Sequence, residues 1–220
     1  MAFSNPLPDN KYVLEHLTRM LADFNPSFIF NGWWGCPDNG AVSAHLPFYR
    51  AFRSIPMLDF KKVPGASDPV QVKYGELENA GYILIVNREY YPVGLNMTLN
   101  SESKELLDLA SNTPVKLQDG RLSMQVKPYE VICLKSAATV TFKETAMTVP
   151  PEVIKELEKT LAAVKQAAKT FNAKRLRVAG LPELIPIADA ALAKKQYSYL
   201  HYLLQSGPAT EALKHENALK

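Results

Sequence analysis

Gly81-Tyr82-Ile83-Leu84-Ile85-Val86-Asn87-Arg88 is nearly continuously apolar. A run of this length between turn residues reads as a strand buried on both faces. Glu78-Asn79-Ala80 precedes it and Tyr91-Pro92 follows, both turn-forming. Working outward, the apolar period stays at two. Candidate strands fall at residues 57–60, 70–74, 81–88, 93–99, 115–117, 121–126, 129–134 and 139–142. Pro64-Gly65, Asn112-Thr113-Pro114 and Gln118-Asp119-Gly120 separate several of them. Leu122, Met124 and Val126 alternate cleanly, which places one face of that strand in water. Short strands with turns and no intervening helices describe an antiparallel β-sandwich.

Both flanks change period. Val13, Leu14, Leu17, Met20, Leu21 and Phe24 recur at helical spacing, so residues 9–24 read as a helix that Asn25-Pro26 stops. Residues 27–30 then read as a short buried strand. At the other end, Thr148-Val149-Pro150-Pro151 opens a helical tail, with Pro151 suited to a first turn and Glu152 to the helix dipole. Ile154, Leu157, Leu161, Val164, Ala168 and Phe171 form its apolar stripe. A break at Gly180-Leu181-Pro182, a second helix over 186–205 ended by Gly207-Pro208, and a fraying last helix complete the tail. The fold class is therefore α+β: an antiparallel β-sandwich with an N-terminal helix-strand unit and a C-terminal helical tail. The expected divisions are 1–56, 57–147 and 148–220.

At 220 residues and 47% hydrophobic, the chain can bury a real core. Its net charge of +3 is too weak for a nucleic-acid partner. The excess sits in the tail, where residues 143–220 carry a net +4 against −1 for residues 1–142. Those cations are spread over helical sequence and read as a solvated face. The longest apolar run, 82–86, is too short to span a membrane, and no signal peptide begins the chain. Localisation stays open, since the chain can be cut from a longer protein. Cys36 and Cys133 make no disulfide framework. His16, His45, His201 and His215 lack metal-ligand spacing, and no phosphate loop or nucleophile elbow occurs, so neither metal nor cofactor is expected.

The order Asn25-Pro26-Ser27-Phe28-Ile29-Phe30-Asn31-Gly32-Trp33-Trp34-Gly35, then residues 46–56, then Asp68-Pro69-Val70-Gln71-Val72, resembles the C-terminal part of large bacterial glycoside-hydrolase-like proteins. Ile83-Leu84-Ile85-Val86-Asn87-Arg88-Glu89 and the closing Pro128-Tyr129-Glu130-Val131-Ile132 strengthen it. The resemblance covers roughly residues 10–135. It implies a barrel catalytic domain followed by a sandwich, often with further helices. It carries over no catalytic residue, because nothing here supplies the barrel's acid and nucleophile. The partners it implies are a carbohydrate and the missing catalytic domain of a parent chain.

Trp33 and Trp34, flanked by glycines, are the first ligand candidates, or else at least one of them is buried between the N-terminal unit and the sandwich. An indole face packs on a sugar's C–H face, and Asn31 and Asp38 are placed to take hydroxyls. Arg50 and Arg53 share a helix face if 46–54 is helical. They read as carboxylate grips or as partners of Asp59 or Asp68. Tyr90 and Tyr91, in the hairpin after the central run, read as sugar-facing or as packed on the sheet. Glycoside hydrolysis needs two carboxyl groups flanking one bond. Asp38, Asp59, Asp68, Glu76, Glu78 and Glu89 are scattered over turns, and spacing selects no pair. The reading is a non-catalytic accessory region that supports or contributes to carbohydrate binding. The alternatives are a protein-interaction or self-associating module, and a stand-alone glycosidase with acids assembled from distant turns.

Overall fold

The computed structural model describes residues 14–29 and 41–219. In chain order, helices α1 (Glu15–Asp23) and α2 (Ala41–Ser54) come first. Strands β1 (Lys61–Lys62), β2 (Val70–Leu77), β3 (Ala80–Asn87), β4 (Val93–Asn100), β5 (Glu105–Asp108), β6 (Thr113–Lys116), β7 (Arg121–Val126), β8 (Val131–Ser136) and β9 (Thr141–Thr148) follow. Helices α3 (Pro151–Ala173), α4 (Leu181–Ala193), α5 (Tyr197–Leu204) and α6 (Gly207–Leu219) close the order. The chain forms two compact units, divided between Thr148 and Val149.

In the first unit the strands make two antiparallel sheets, ordered β1-β2-β3-β8-β5-β6 and β7-β4-β9. The apolar run is the central strand β3, buried along its whole length. Strand period two sends its side chains to opposite layers. Tyr82, Leu84 and Val86 join Val131 and Cys133 of β8 in a core with Leu17 and Leu21 of α1 and Phe48 and Ala51 of α2. Ile83 and Ile85 point the other way. On that side Tyr74 of β2 meets Phe142 of β9, ring centroids 5.7 Å apart. Strand β4 alternates buried Val93, Leu95, Met97 and Leu99 with outward Asn96 and Asn100. The helices thus cover one face of the larger sheet and the smaller sheet covers the other.

Turn chemistry sets the hairpins. Glu78 and Asn79 join β2 to β3 with φ of 51° and 65°, the two-residue type I′ geometry that matches strand twist. Asp119 and Gly120 do the same between the bridged pair Gln118 and Arg121.

Several elements differ from expectation. Residues 57–60 form no strand: Met57 is 84% exposed while Phe60 is buried, and pairing begins only at Lys61. Ser27, Phe28 and Ile29 are outside any strand, and Phe30 lies outside the described residues. Strand β5 was hidden because only Leu106 of its four residues is fully buried. In the second unit α3 follows the expected stripe, with buried Val153 and Ala167 replacing Ile154 and Ala168, and it packs on α4, α5 and α6. The helix expected at 186–205 is two. It starts earlier, at Leu181, and breaks at Lys195, whose φ of 56° is left-handed. The Lys195 amide donates to Leu192 O (3.0 Å) and the Gln196 amide to Ala191 O (2.9 Å), a Schellman closure. Gly207-Pro208 opens α6 as well as following α5.

Candidate functional site

The carboxyl end of β3 and the end of α1 meet at a polar cluster. Asn87, buried, donates from Nδ2 to Tyr91 O and Lys127 O (both 2.8 Å), and its Oδ1 accepts the Glu89 amide (3.0 Å). Glu89, only 1% exposed, receives Arg19 Nη2 at 3.0 Å, and Arg19 Nε reaches Glu15 Oε1 at 2.8 Å. Burial works against the Arg19 charge, but Glu89 and Glu15 outweigh it and lift its pKa above the ordinary arginine value. Among the described residues Glu89 is the only buried carboxylate. Its charge is matched by Arg19, so it is a structural anchor for the 87–91 hairpin.

Lysine 73 does the equivalent work at the other side of α1. It is 1% exposed, and its Nζ donates to Leu21 O (2.8 Å), Phe24 O (2.5 Å) and Asn25 Oδ1 (3.1 Å). Leu21 O and Phe24 O are backbone carbonyls at the end of α1, where a helix leaves such groups unpaired, and a side chain from β2 closes them here. Burial lowers the Lys73 ammonium to about 8; Lys62 adds to the shift and Asp23 opposes it.

Beside this anchor runs a groove of about 520 Å³ between the ends of α1 and α2 and the 55–60 segment. Its floor includes Leu21, Phe52 and Leu84, and its polar lining is Asn25, Ser27, Arg53 and Asp59. Asn25 Nδ2 donates to Asp59 Oδ1 (3.0 Å) and Phe60 O (2.8 Å). Arg53 is exposed and makes no ion pair among the described residues. Next to these lining residues in the chain, Phe24 and Phe28 stand 67% and 74% exposed.

The sequence candidates distribute unevenly over this geometry. Trp33, Trp34, Asn31 and Asp38 lie outside the described residues. Arg50 is exposed on α2. Tyr91 is 3% exposed, its hydroxyl buried with no hydrogen-bond partner among the described residues, and its pKa is raised by burial, then by Glu89 and Asp68. Tyr90 is half-buried and meets Tyr91 edge-on at 5.2 Å. The expected pairing of Arg50 or Arg53 with Asp59 or Asp68 does not form among the described residues. The Asn25 amide takes Asp59, and Arg88 stands 4.0 Å from Asp68. Asn25 was legible only as a helix stop and Ser27 only as part of a strand. Their grouping with Arg53 depends on tertiary packing.

Cys133 is free and buried, and burial, with Asp108 adding, pushes its thiol up to about 12, so it is a packing residue. Among the described residues no three His, Cys, Asp or Glu are grouped to hold a metal ion. No described helix is long and apolar enough to cross a membrane.

No family model matches the chain, and no curated protein matches it. Solved structures similar to it include alpha-galactosidase I from Mortierella vinacea, at 15% identity and TM-score 0.42, covering 61% of this chain and 37% of that one. A proposed alpha-N-acetylgalactosaminidase from Bacillus halodurans aligns at 18% identity and TM-score 0.40, over 57% of this chain and 32% of that one. AmyP in complex with maltose aligns at 12% identity and TM-score 0.33, over 46% and 20%. These neighbours are glycoside hydrolases at low identity, and the chain spans well under half the length of each.

Proposed function

We propose that this chain is a non-catalytic accessory region of a glycoside-hydrolase-like protein, contributing to carbohydrate binding. The observation that carries it is the groove beside α1 and α2. It offers Arg53, Asp59 and Ser27 as hydrogen-bonding groups, and the same loop exposes Phe24 and Phe28 as apolar faces. Apolar faces beside a few convergent polar groups are what a sugar ring requires. Asn31, Trp33, Trp34 and Asp38 follow Ile29 in the chain almost at once and are assigned to the same site. Arg50 and Tyr90 are assigned as outlying contributors. The non-catalytic part of the reading is supported by the acids. Glu89 is buried against Arg19, and Asp59 and Asp68 have Asn25 and Arg88 beside them.

The test is binding to an oligosaccharide and polysaccharide panel, with hydrolysis followed in the same samples. Binding that is lost in a folded Trp33→Ala/Trp34→Ala variant, without product release, is the expected result. Hydrolysis by this chain alone overturns the non-catalytic assignment, and absence of any binding overturns the carbohydrate assignment.

A second reading has one observation in its favour. Phe24, Phe28 and Met57 are large apolar side chains left exposed, Met57 on the groove itself and the two phenylalanines next in the chain to its lining residues. Such a face also suits a neighbouring protein domain, the catalytic domain of a parent chain or a second copy. Sedimentation of the isolated chain separates self-association from the carbohydrate reading.

A further inference from the structure

The solvent face of the three-stranded sheet carries a second hollow, of about 720 Å³, on the opposite side of the sandwich core from α1 and α2. The register builds it. Thr98 of β4 pairs with Arg121 on one side and Glu144 on the other, so these three side chains form a row across the face. The next row is Ser123, Asn96 and Ala146. Neighbouring strands lie about 4.8 Å apart, which sets the roots of Arg121 and Glu144 about 10 Å apart across Thr98. The small Ala146 and Ser123 keep the floor low between them. Lys116, Gln118 and Asp119 from the turn before β7 raise one wall.

Three properties distinguish this hollow from an ordinary wet sheet face. First, Leu95, Met97 and Leu122 are buried directly beneath it, so its residues stand on a rigid layer. Second, Asn96, Ser123, Arg121 and Glu144 make no side-chain hydrogen bond or ion pair among the described residues, so their donors and acceptors are uncommitted. Third, its charges balance, Lys116 and Arg121 against Asp119 and Glu144. Paired donors and acceptors with no net charge fit a ligand that both gives and accepts hydrogen bonds and is itself neutral. Adjacent hydroxyls of a sugar do this, bridging a guanidinium and a carboxylate.

We propose that this hollow is a second binding site for a neutral oligosaccharide, centred on Arg121, Thr98 and Glu144 and separate from the groove beside α1 and α2. The assignment rests on the carbohydrate reading above and adds a site to it. The hollow offers no aromatic platform, so it holds the ligand by hydroxyl contacts and contributes avidity to the first site.

The experiment is an amide chemical-shift titration of the labelled full chain with maltotriose, cellotriose, melibiose and a digalacturonate. Wild type, Arg121→Gln/Glu144→Gln and Trp33→Ala/Trp34→Ala are compared. Arg121 and Glu144 are both exposed, and retained spectral dispersion checks the fold of each variant. A neutral sugar should shift the amides of Asn96, Ser123 and Glu144. Its affinity there should fall about tenfold or more in the Arg121/Glu144 variant and change less than about twofold in the tryptophan variant. Shifts confined to Asn25, Ser27 and Arg53, and abolished only by the tryptophan variant, overturn the second site and leave the accessory reading standing. Stronger shifts with digalacturonate than with every neutral sugar overturn the neutral-ligand assignment. No shift with any probe overturns both readings together.

Discussion

Replacing Lys73 by methionine separates the packing role of its stem from the role of its ammonium. Methionine fills a similar volume but donates nothing to Leu21 O, Phe24 O or Asn25 Oδ1. The variant should therefore be less stable than the wild type at every pH. The informative quantity is how that gap moves with pH. Lys73 falls from the ordinary 10.5 to about 8 in the folded chain, chiefly through burial. Well below pH 8 both states hold the proton, and the fold bears the full penalty of a buried charge. Between 8 and 10.5 the folded chain has released the proton while the unfolded chain keeps it. The unfolded state then binds more protons, so stability rises with pH. Integrated from pH 7 to 9 this is about 1.3 kcal/mol, approaching about 3 kcal/mol once pH passes 10.5.

Urea titrations at pH 7, 8 and 9 read this directly. The amide signals of β2 and β3 belong to the first unit, so nuclear magnetic resonance at each urea concentration follows its unfolding and not that of the second. With a urea slope of about 1–3 kcal/mol/M, the midpoint difference between wild type and variant should widen by about 0.5–1 M. Cys133 and Tyr91 oppose the trend, because both hold protons in the fold that the unfolded chain loses from 9.0 and 10.0 upward. That loss is common to both proteins and cancels in the difference. A gap that stays flat or narrows from pH 7 to 9 refutes the argument. It would mean that the three carbonyl contacts hold the ammonium charged against the cost of burial.

Three further outcomes follow from the geometry. Gly81→Ala places a Cβ 2.9 Å from both Ala138 O and Val140 Cγ2, and should destabilise the first unit by about 1–3 kcal/mol in the same urea titration. Lys195→Gly relieves the left-handed backbone that closes α4, and should stabilise the second unit by about 0.5–1 kcal/mol, read by far-ultraviolet circular dichroism. Tyr91→Phe removes a buried hydroxyl that has no partner, so it should leave stability unchanged or raise it by about 1 kcal/mol. A loss of stability there would show that the hydroxyl is bonded in solution.

The architecture was readable where one physical signal dominated. The 81–88 run read as a central strand, because a nearly continuous apolar run between turn residues is covered on both faces. The turn at Asp119-Gly120 announced itself through residues that tolerate positive φ. Reading failed where the signal was carried by an unexpected residue type. Nothing about Lys195 marks a helix end, since a lysine in the left-handed region takes the place usually held by glycine, so one long helix was expected where two exist. Residues 57–60 alternate like a strand, but alternation says nothing of whether a partner strand is in reach.

Site residues were harder to read for a different reason. A short motif such as Trp33-Trp34 is visible because its members adjoin, whereas Arg121, Thr98 and Glu144 come from three strands and meet only through register. The same holds for Glu89 and Arg19, 70 residues apart, where the sequence alone could not distinguish a candidate acid from a structural ion pair. Burial makes that distinction. A carboxylate 1% exposed and matched by a guanidinium is committed to the fold, while exposed groups without partners on a rigid sheet remain available to a ligand. For this chain the polar residues that hold the fold cluster at the ends of α1 and β3. Those with capacity to spare face outward on β4, β7 and β9, where a ligand can engage them without disturbing the fold.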